Sequence, residues 1–218
     1  MHAVKVTGVS KAFKGELIFD SIDLELEAGL IHGIIGHNGS GKSVLFKLLC
    51  GMIVPDQGSV QILNHTLGKE IDYPEHTGAV IEQPGFLSDR SGLDNLTYLA
   101  AIRNKITPER IKQALQAVGL NPNDKKKVKA YSIGMKQRLA IAQAIMEEPK
   151  LLLLDEPMNG LDKSGVAQIR QLIMELKQQG VTIVLSSHIA EDIRLLCDRV
   201  YEIDNKRVTL VSQTATEV

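Results

Sequence analysis

Residues 36 to 43 are the part of this 218-residue chain whose types and spacing most directly predict chemistry. Their order, Gly-His-Asn-Gly-Ser-Gly-Lys-Ser, fits the pattern G-x-x-x-x-G-K-[S/T], a loop that surrounds phosphate groups with backbone N–H donors. Gly36, Gly39 and Gly41 allow the backbone to bend tightly and to approach a ligand. Lys42 supplies a mobile positive charge for the terminal phosphates, and the Ser43 hydroxyl can bind Mg²⁺. We therefore expect this loop to bind a nucleoside triphosphate.

The elements predicted on either side of the loop suit this role. An apolar run at 30–35 indicates a buried strand before it, and residues 44–49 indicate a helix after it. A helix that starts there directs its free N–H groups and the positive end of its dipole toward a polyphosphate. The remaining residues that we expect around the phosphates contribute their backbone rather than their side chains; they are His37, Asn38, Ser40 and Val44.

A second group of candidate residues follows the apolar run Leu151–Leu154, which ends in Asp155 and Glu156. At the end of a buried parallel strand the first carboxylate would lie beside the phosphate loop, where it can hold Mg²⁺ directly or through water. The second can accept a proton from an attacking water. A strand that ends in solvated acids is the alternative for this stretch alone, and the phosphate loop earlier in the chain favours the catalytic interpretation.

Composition restricts the class of protein. With 44% hydrophobic and 23% charged residues the chain has the profile of a soluble globular protein. Its formal net charge of −1 provides no overall basic surface, so we expect no nucleic-acid partner. Cys50 and Cys197 lie in apolar surroundings and are predicted to be reduced core residues of a cytosolic protein. No apolar run approaches the ~20 residues of a membrane span, and residues 1–5 lack a signal-peptide layout. A link to a membrane would therefore need a partner chain.

Periodicity predicts an α/β fold. Residues 3–9, 21–27 and 59–63 alternate apolar with polar side chains, as half-buried antiparallel strands do, and a turn is expected at 11–15. From residue 149 onward buried strands alternate with amphipathic helices, which favours a mostly parallel sheet with helices on both faces. The stretch after Asp204 is short, and we predict no added regulatory domain in it.

An inserted helical block interrupts this pattern. Ser91 is predicted to cap a first helix, Thr107 to cap a second that starts at Pro108, and a third follows at about 134–147. The lysine-rich link at 121–129 between the second and third helices is expected to be a solvated loop. We expect one domain over 1–218, with its core at about 1–84 and 149–218 and a helical subdomain at about 85–148.

Several short motifs occur in a fixed order along the chain: the phosphate loop, Gln83, the segment Ser-Ile-Gly-Met-Lys-Gln-Arg at 132–138, Asp-Glu-Pro at 155–157, Gly-Leu-Asp at 160–162 and Ser-His at 187–188. From about residue 3 to residue 205, this set resembles the nucleotide-binding subunit of an ATP-binding cassette (ABC) transporter. The resemblance implies a P-loop NTPase (RecA-like) core with an antiparallel β subdomain.

The resemblance also implies a role for each matching residue. Phe13 would stack on the adenine. Mg²⁺ would be surrounded by Ser43, Gln83 and Asp155. Glu156 would polarise the attacking water, and His188 would contact the terminal phosphate. Ser132 and Gly134 would approach the ATP held by a second copy, with Asp162 at the seam. Taken alone, Phe13 is better explained by ordinary packing than by base stacking. His188 alone is explained equally well by a structural role, and Ser132 is first of all a helix cap. The other histidines show no metal-ligand spacing and are predicted to be structural or surface groups; they are His2, His32, His65 and His76.

Two stretches depart from the usual family pattern. Tyr-Ser-Ile-Gly-Met at 131–135 stands where the family usually has Leu-Ser-Gly-Gly-Gln. The β-branched Ile133 therefore replaces the first glycine, and Met135 replaces the glutamine. Met-Asn-Gly-Leu-Asp at 158–162 stands in place of the more usual Ser-Ala-Leu-Asp. Both variants resemble the drug- and peptide-export branch, of bacitracin type.

The function implied is that of an ATPase that forms a homodimer, or a dimer with a related cassette, around two ATP molecules. It would drive a separate integral membrane transporter subunit in export, with the insertion as the contact and Gln83 as the hinge. Its location would be cytoplasmic, on the inner face of the cell membrane. Three alternatives stay open: an ABC ATPase that acts on nucleic acid or ribosomes, a non-hydrolysing sensor or scaffold, and an ATPase that drives a membrane signalling or cell-envelope partner.

Overall fold

The computed structural model describes residues 1–82 and 85–213. Its strands are β1 (His2–Phe13), β2 (Glu16–Glu27), β3 (Ile31–Ile35), β4 (Gln57–Ile62), β5 (His65–Thr66), β6 (Thr77–Val80), β7 (Leu151–Leu154), β8 (Thr182–Ser186), β9 (Arg199–Asp204) and β10 (Arg207–Gln213). Its α-helices are α1 (Lys42–Leu49), α2 (Gly92–Arg103), α3 (Pro108–Ala117), α4 (Ile133–Ile145), α5 (Lys163–Gln178) and α6 (Ala190–Leu196). A short 3-10 turn covers Val128–Ala130.

The strands form two sheets. An antiparallel sheet has the order β2-β1-β4-β5, and a six-stranded sheet has the order β10-β9-β3-β8-β7-β6. In the larger sheet the five strands from β9 to β6 are parallel, and β10 is antiparallel to β9. The predicted α/β architecture, with a mostly parallel sheet and a separate antiparallel sheet, is confirmed.

Strand β7 shows why the central strands have unbroken apolar sequences. Leu151 and Leu153 pack into the cluster that includes helix α1 and the antiparallel sheet. Leu152 and Leu154 pack into the other cluster, with helices α2 to α5. All four leucines are 0% exposed. A parallel strand that is covered on both faces needs apolar residues at every position, not at alternate ones.

The helical block lies between β6 and β7 along the chain. Ser91 caps α2 in a capping box with Asp94. At the start of α3, the Thr107 hydroxyl accepts a hydrogen bond from the amide of Arg110. Helix α4 packs against α3 and against β6, so it joins the block to the larger sheet. Within the described ranges, the structure has no helix that is both long enough and apolar enough to cross a membrane.

Two details of the sequence prediction were wrong. The turn expected at 11–15 is limited to Lys14 and Gly15, because β1 continues to Phe13 and β2 starts at Glu16. The stretch after Asp204 contains strand β10, which was not predicted. Asn205 and Lys206 have φ values of 45° and 66°, so they form the tight two-residue turn that favours a hairpin between β9 and β10.

Candidate functional site

The phosphate loop connects β3 to α1, where its backbone adopts a conformation that requires glycine. Gly36 has φ 152°, and a Cβ added there would lie 2.6 Å from Ser40 Oγ and 2.7 Å from the carbonyl oxygen of Ile203. The chain bends tightly as soon as it leaves the strand, and this bend leaves no room for a side chain at position 36. The first turn of α1 follows, and its N–H groups point back toward the loop.

The ammonium group of Lys42 lies inside this loop. Lys42 is 9% exposed, and its Nζ donates to the carbonyl oxygens of Gly36 at 2.7 Å and His37 at 3.2 Å. An ammonium has three N–H donors. Phosphate oxygens can therefore accept the third or compete with the loop carbonyls for the other two.

Asp155 lies next to the first turn of α1, as predicted from its place after β7. The Ser43 hydroxyl donates to Asp155 Oδ2 at 2.7 Å, and the Ser186 hydroxyl at the end of β8 donates to Asp155 Oδ1 at 2.6 Å. A hydroxyl and a carboxylate oxygen that converge in this way belong to the ligand set that Mg²⁺ prefers. The residues present thus fit a magnesium site at Ser43 and Asp155.

Glu156 is held by both its backbone and its carboxylate. Its amide donates to Ser186 Oγ at 3.0 Å, its Oε2 accepts from the amide of His188 at 3.2 Å, and its Oε1 lies 3.1 Å from His188 Nε2. Burial raises the pKa of the Glu156 carboxyl above its ordinary value, while the two contacts with His188 act in the opposite direction. A carboxylate with a raised pKa is a better proton acceptor than an exposed one.

These groups meet at one cavity of about 270 Å³. Its lining includes the following residues: Ile18, Asn38, Gly39, Gly41, Lys42, Ser43, Val44, Asp155, Glu156 and His188. The structure therefore brings together the phosphate loop, the two consecutive acids and the histidine, which are far apart in the sequence. Ile18, on β2, was not predicted; it lies between the half-buried Leu17 and the buried Phe19, on a strand whose position beside the loop no sequence motif indicates.

Phe13 lies at the end of β1, outside the lining of this cavity as far as the described chain shows it. Its side chain is 43% exposed, and the Lys11 ammonium lies 5.2 Å from the ring centroid. An exposed ring is available for stacking, and the adenine-binding role of Phe13 stays a prediction. Gln83 lies outside the described residues.

The residues predicted to meet a second copy lie elsewhere on the surface. The Ser132 hydroxyl accepts the amide of Met135 at 3.1 Å and so caps α4. Asp162 caps α5 by accepting the amide of Gly165 at 2.9 Å. Hydrogen bonds from the Ser164 hydroxyl and from that amide lower the pKa of Asp162. The two caps are neighbours, because a Cβ on Gly134 would lie 2.7 Å from the carbonyl oxygen of Gly160.

Besides Ile18, two further residues at the site were not predicted from the sequence. Ser186 joins Asp155 to Glu156, as described above. Gln137, on α4, donates from Nε2 to the carbonyl oxygens of Glu156 at 3.3 Å and Pro157 at 3.1 Å. Ser186 directly precedes the Ser-His motif at 187–188, and Gln137 belongs to the motif segment 132–138 in α4, but neither signal indicates the contact.

Comparisons with known proteins agree with this geometry. The profile of the family described as ABC transporter matches residues 19–159. The chain belongs to the ABC transporter family. It is a nucleotide-binding P-loop ATPase of that family, and the resemblance found in the sequence is confirmed.

Two relatives and one solved structure show how far the similarity extends. The uncharacterized ABC transporter ATP-binding protein YybJ of Bacillus subtilis (strain 168) is 40% identical over 205 residues, which are 94% of each chain. The bacitracin transport ATP-binding protein BcrA of Enterococcus faecalis is 36% identical over 205 residues, or 90% of this chain and 65% of BcrA. A dimeric, post-hydrolysis structure of the ATP-binding cassette MJ0796 with ADP and Pi superposes with a TM-score of 0.87. That similarity covers 97% of this chain and 99% of MJ0796 at 24% identity, so it shows the cassette fold.

Proposed function

We propose that this cassette binds Mg·ATP at the cavity between the phosphate loop and β7, hydrolyses it as one half of a dimer, and drives a separate integral membrane subunit. One observation supports this most directly. A buried lysine, a magnesium-type hydroxyl–carboxylate pair, and a desolvated glutamate beside a histidine converge on a single cavity. This is the set of groups that phosphoryl transfer to water requires.

Phosphate binding rests on the loop and the N-terminus of α1. Gly39 has nothing within 4 Å of an added Cβ, so the backbone at this position is open to a ligand. The N–H groups of 37–44 then act as donors, and Lys42 adds its charge. Phe13, exposed at the end of β1, is the proposed platform for the adenine.

Mg²⁺ is proposed to bind Ser43 and Asp155, with Gln83 as a further ligand. When bound, this ion would neutralise phosphate charge during transfer. The Ser43 hydroxyl donates a hydrogen bond to Asp155 Oδ2. The lone pairs of the same hydroxyl oxygen would be available to Mg²⁺ while that hydrogen bond is kept.

Glu156 is proposed to accept the proton of the attacking water. It faces the cavity, it is partly desolvated, and His188 fixes one end of its carboxylate. His188, whose side chain is 53% exposed, is free on its outer face to contact a terminal phosphate. Removal of a general base lowers turnover by roughly 10²–10⁴-fold.

A second copy of this chain, or a related cassette, is proposed to complete each site. Ser132 and Asp162 are exposed, and each caps a helix whose N-terminus attracts anions. The two caps lie close together, because Gly134 of the first motif packs against Gly160 of the second. Among the described residues they lie outside the cavity of their own chain. This position supports the proposal that they face the ATP of a partner.

Export through a membrane subunit is proposed from the similarity to BcrA, a bacitracin transport ATP-binding protein. The motifs at 131–135 and 158–162 favour the same branch. The cassette would then lie in the cytoplasm on the inner face of the membrane, bound through its partner. The helical block of α2 to α4 is the proposed contact.

The test compares Glu156→Gln with wild type in ATPase turnover and in ATP binding. We expect turnover to fall at least 10²-fold while ATP binding persists, because the amide keeps the shape of the carboxylate without its basicity. Glu109→Gln, the same change at an exposed position on α3, is the matched control and should behave as wild type. Turnover that survives in Glu156→Gln with ATP bound would show that the assigned role is wrong.

The dimer is tested separately by the concentration dependence of turnover per chain. Because each site needs residues of both copies, the rate per chain should rise with protein concentration until the dimer is fully formed. A monomer that hydrolyses ATP at full rate would contradict the proposal.

A further inference from the structure

Ser186 is a fully buried residue that contacts both acids of the site through one atom. It is the last residue of β8 and is 0% exposed. Its Oγ donates to Asp155 Oδ1 at 2.6 Å and accepts from the amide of Glu156 at 3.0 Å. A serine hydroxyl has one proton to donate, so both capacities of this group are used on two consecutive residues.

Glu156 has an unusual backbone conformation at this contact. Its φ is 53°, in the left-handed region that non-glycine residues rarely adopt. Such a conformation persists where surrounding groups fix it. The amide of Glu156 is bonded to Ser186 and its carbonyl oxygen accepts from Gln137, so hydrogen bonds hold the residue on both sides.

The arrangement of the sheet explains why one hydroxyl can reach both acids. Strands β7 and β8 are parallel neighbours in register, with Leu154 opposite Leu185. The next residues, Asp155 just after β7 and Ser186 at the end of β8, therefore meet at the carboxyl edge of the sheet. After β8 the chain continues through Ser187 to His188, whose Nε2 lies 3.1 Å from Glu156 Oε1. Ser186 thus links the acids to the same strand that presents the histidine.

We propose that Ser186 is a positioning residue for hydrolysis: its hydroxyl fixes the Asp155 carboxylate relative to the backbone of Glu156, so that the magnesium ligand and the proton acceptor keep one geometry. The inference rests on the proposed function, since it assigns Ser186 through the roles given to Asp155 and Glu156. Ser186 itself touches neither nucleotide nor metal in this assignment.

The experiment uses Ser186→Ala in the full chain, with a matched control in the same strand. Thr182, at the opposite end of β8, is 2% exposed, and its hydroxyl accepts the amide of Gly29 at 2.9 Å. Thr182→Val therefore removes a buried hydroxyl that serves a backbone amide far from the site. Ser186→Thr keeps a hydroxyl at position 186 and is the conservative rescue.

Three quantities are measured for each variant: kcat at saturating Mg·ATP, the Mg²⁺ concentration for half-maximal activity, and the Kd of ADP without Mg²⁺. For Ser186→Ala we expect kcat to fall about tenfold, because the loss of one charge-assisted hydrogen bond of about 1.4 kcal/mol leaves the Asp155 carboxylate less firmly positioned. The Mg²⁺ requirement should rise, because Asp155 loses the donor that orients it. The Kd of ADP should stay within about twofold, because the phosphate loop is untouched. Ser186→Thr should recover most of the loss, and Thr182→Val should keep wild-type kcat.

Urea unfolding of each variant separates positioning from stability. If Ser186→Ala keeps the wild-type kcat and Mg²⁺ dependence, the inference is wrong. It is also overturned if the variant weakens ADP binding as much as it lowers kcat, or if Thr182→Val shows an equal loss of kcat, because either result indicates general structural damage. Failure of the proposed function has a different signature, which is a wild-type chain without turnover or a Glu156→Gln variant that retains it.

Discussion

The buried charge of Asp192 allows a quantitative prediction about the segment that presents His188. Asp192, on α6, is 0% exposed; its Oδ1 accepts from Arg170 Nε at 2.8 Å and its Oδ2 accepts from the Ser187 hydroxyl at 2.7 Å. Ser187 Oγ also accepts the amide of Ile189 at 3.1 Å. One carboxylate therefore connects α5, α6 and the loop that contains His188. We predict that Asp192→Ala destabilises the fold strongly.

The magnitude follows from the burial of the two partners. Removal of one member of a buried ion pair costs about 3–5 kcal/mol, because the other charge is left without compensation. The Arg170 side chain is 20% exposed and also contacts Glu191 at 3.0 Å, so part of its charge stays compensated. We therefore expect a loss of about 3 kcal/mol in the free energy of unfolding, at the lower end of that range. For a chain of this size each kcal/mol lowers Tm by about 2–4 °C.

The assay is urea unfolding followed by far-UV circular dichroism, because the chain contains no Trp to serve as a fluorescent probe. Glu191→Ala is the matched control, since it removes the exposed carboxylate that contacts the same Arg170 and should cost less than about 1 kcal/mol. Arg170→Ala and the double variant complete a double-mutant cycle. The double variant should lose less than the sum of the single losses, because it leaves no uncompensated charge. A loss below about 1 kcal/mol for Asp192→Ala, or additive losses in the cycle, would refute the reasoning.

Two further predictions concern titratable groups. Burial raises the pKa of Glu156 above its ordinary value of 4.5, so ionisation above pH 4.5 favours the unfolded chain; Glu156→Gln should therefore unfold at higher urea than wild type near neutral pH, and this advantage should disappear below pH 4.5. An equal advantage at both pH values would contradict the assigned cause. Burial also raises the pKa of Cys197 to about 12 and raises that of Cys50, so a thiol reagent at neutral pH should label neither in the folded protein and both in urea. Fast labelling of the folded chain would count against this burial.

The sequence was sufficient for the parts of the site that are local in the chain. The phosphate loop lies directly between the strand that precedes it and the helix that follows it. Asp155 and Glu156 follow the most apolar strand. Their chemistry can be predicted because the motif and its supporting elements are contiguous. The alternation of polar and apolar residues likewise distinguished the antiparallel strands from the buried parallel ones.

Ser186 could not be found in this way, because it depends on which strands are neighbours. Periodicity predicts that β7 and β8 are strands, but it does not predict their order or register in the sheet. Once Leu154 lies opposite Leu185, the contact between Asp155 and Ser186 follows from geometry. The unpredicted strand β10 has a related cause. It is an edge strand whose residues from 207 to 212 are exposed except for the half-buried Val208, and the turn at Asn205 and Lys206 lacks the glycine that usually marks such hairpins.

Ile133 and Gly160, one from each of the two stretches that depart from the usual family pattern, are in contact with each other. Ile133 occupies the first helical position of α4, where its side chain is 69% exposed. A Cβ added to Gly160 would lie 2.5 Å from Ile133 Cγ2, so the alanine that the usual Ser-Ala-Leu-Asp pattern has at this place would collide with the isoleucine. Gly160 also has φ 74°, which favours glycine on its own account. The larger residue in one motif and the smaller residue in the other therefore compensate each other within a single chain. The caps at Ser132 and Asp162 are both present beside this contact, and Ile133 adds an exposed apolar side chain next to them.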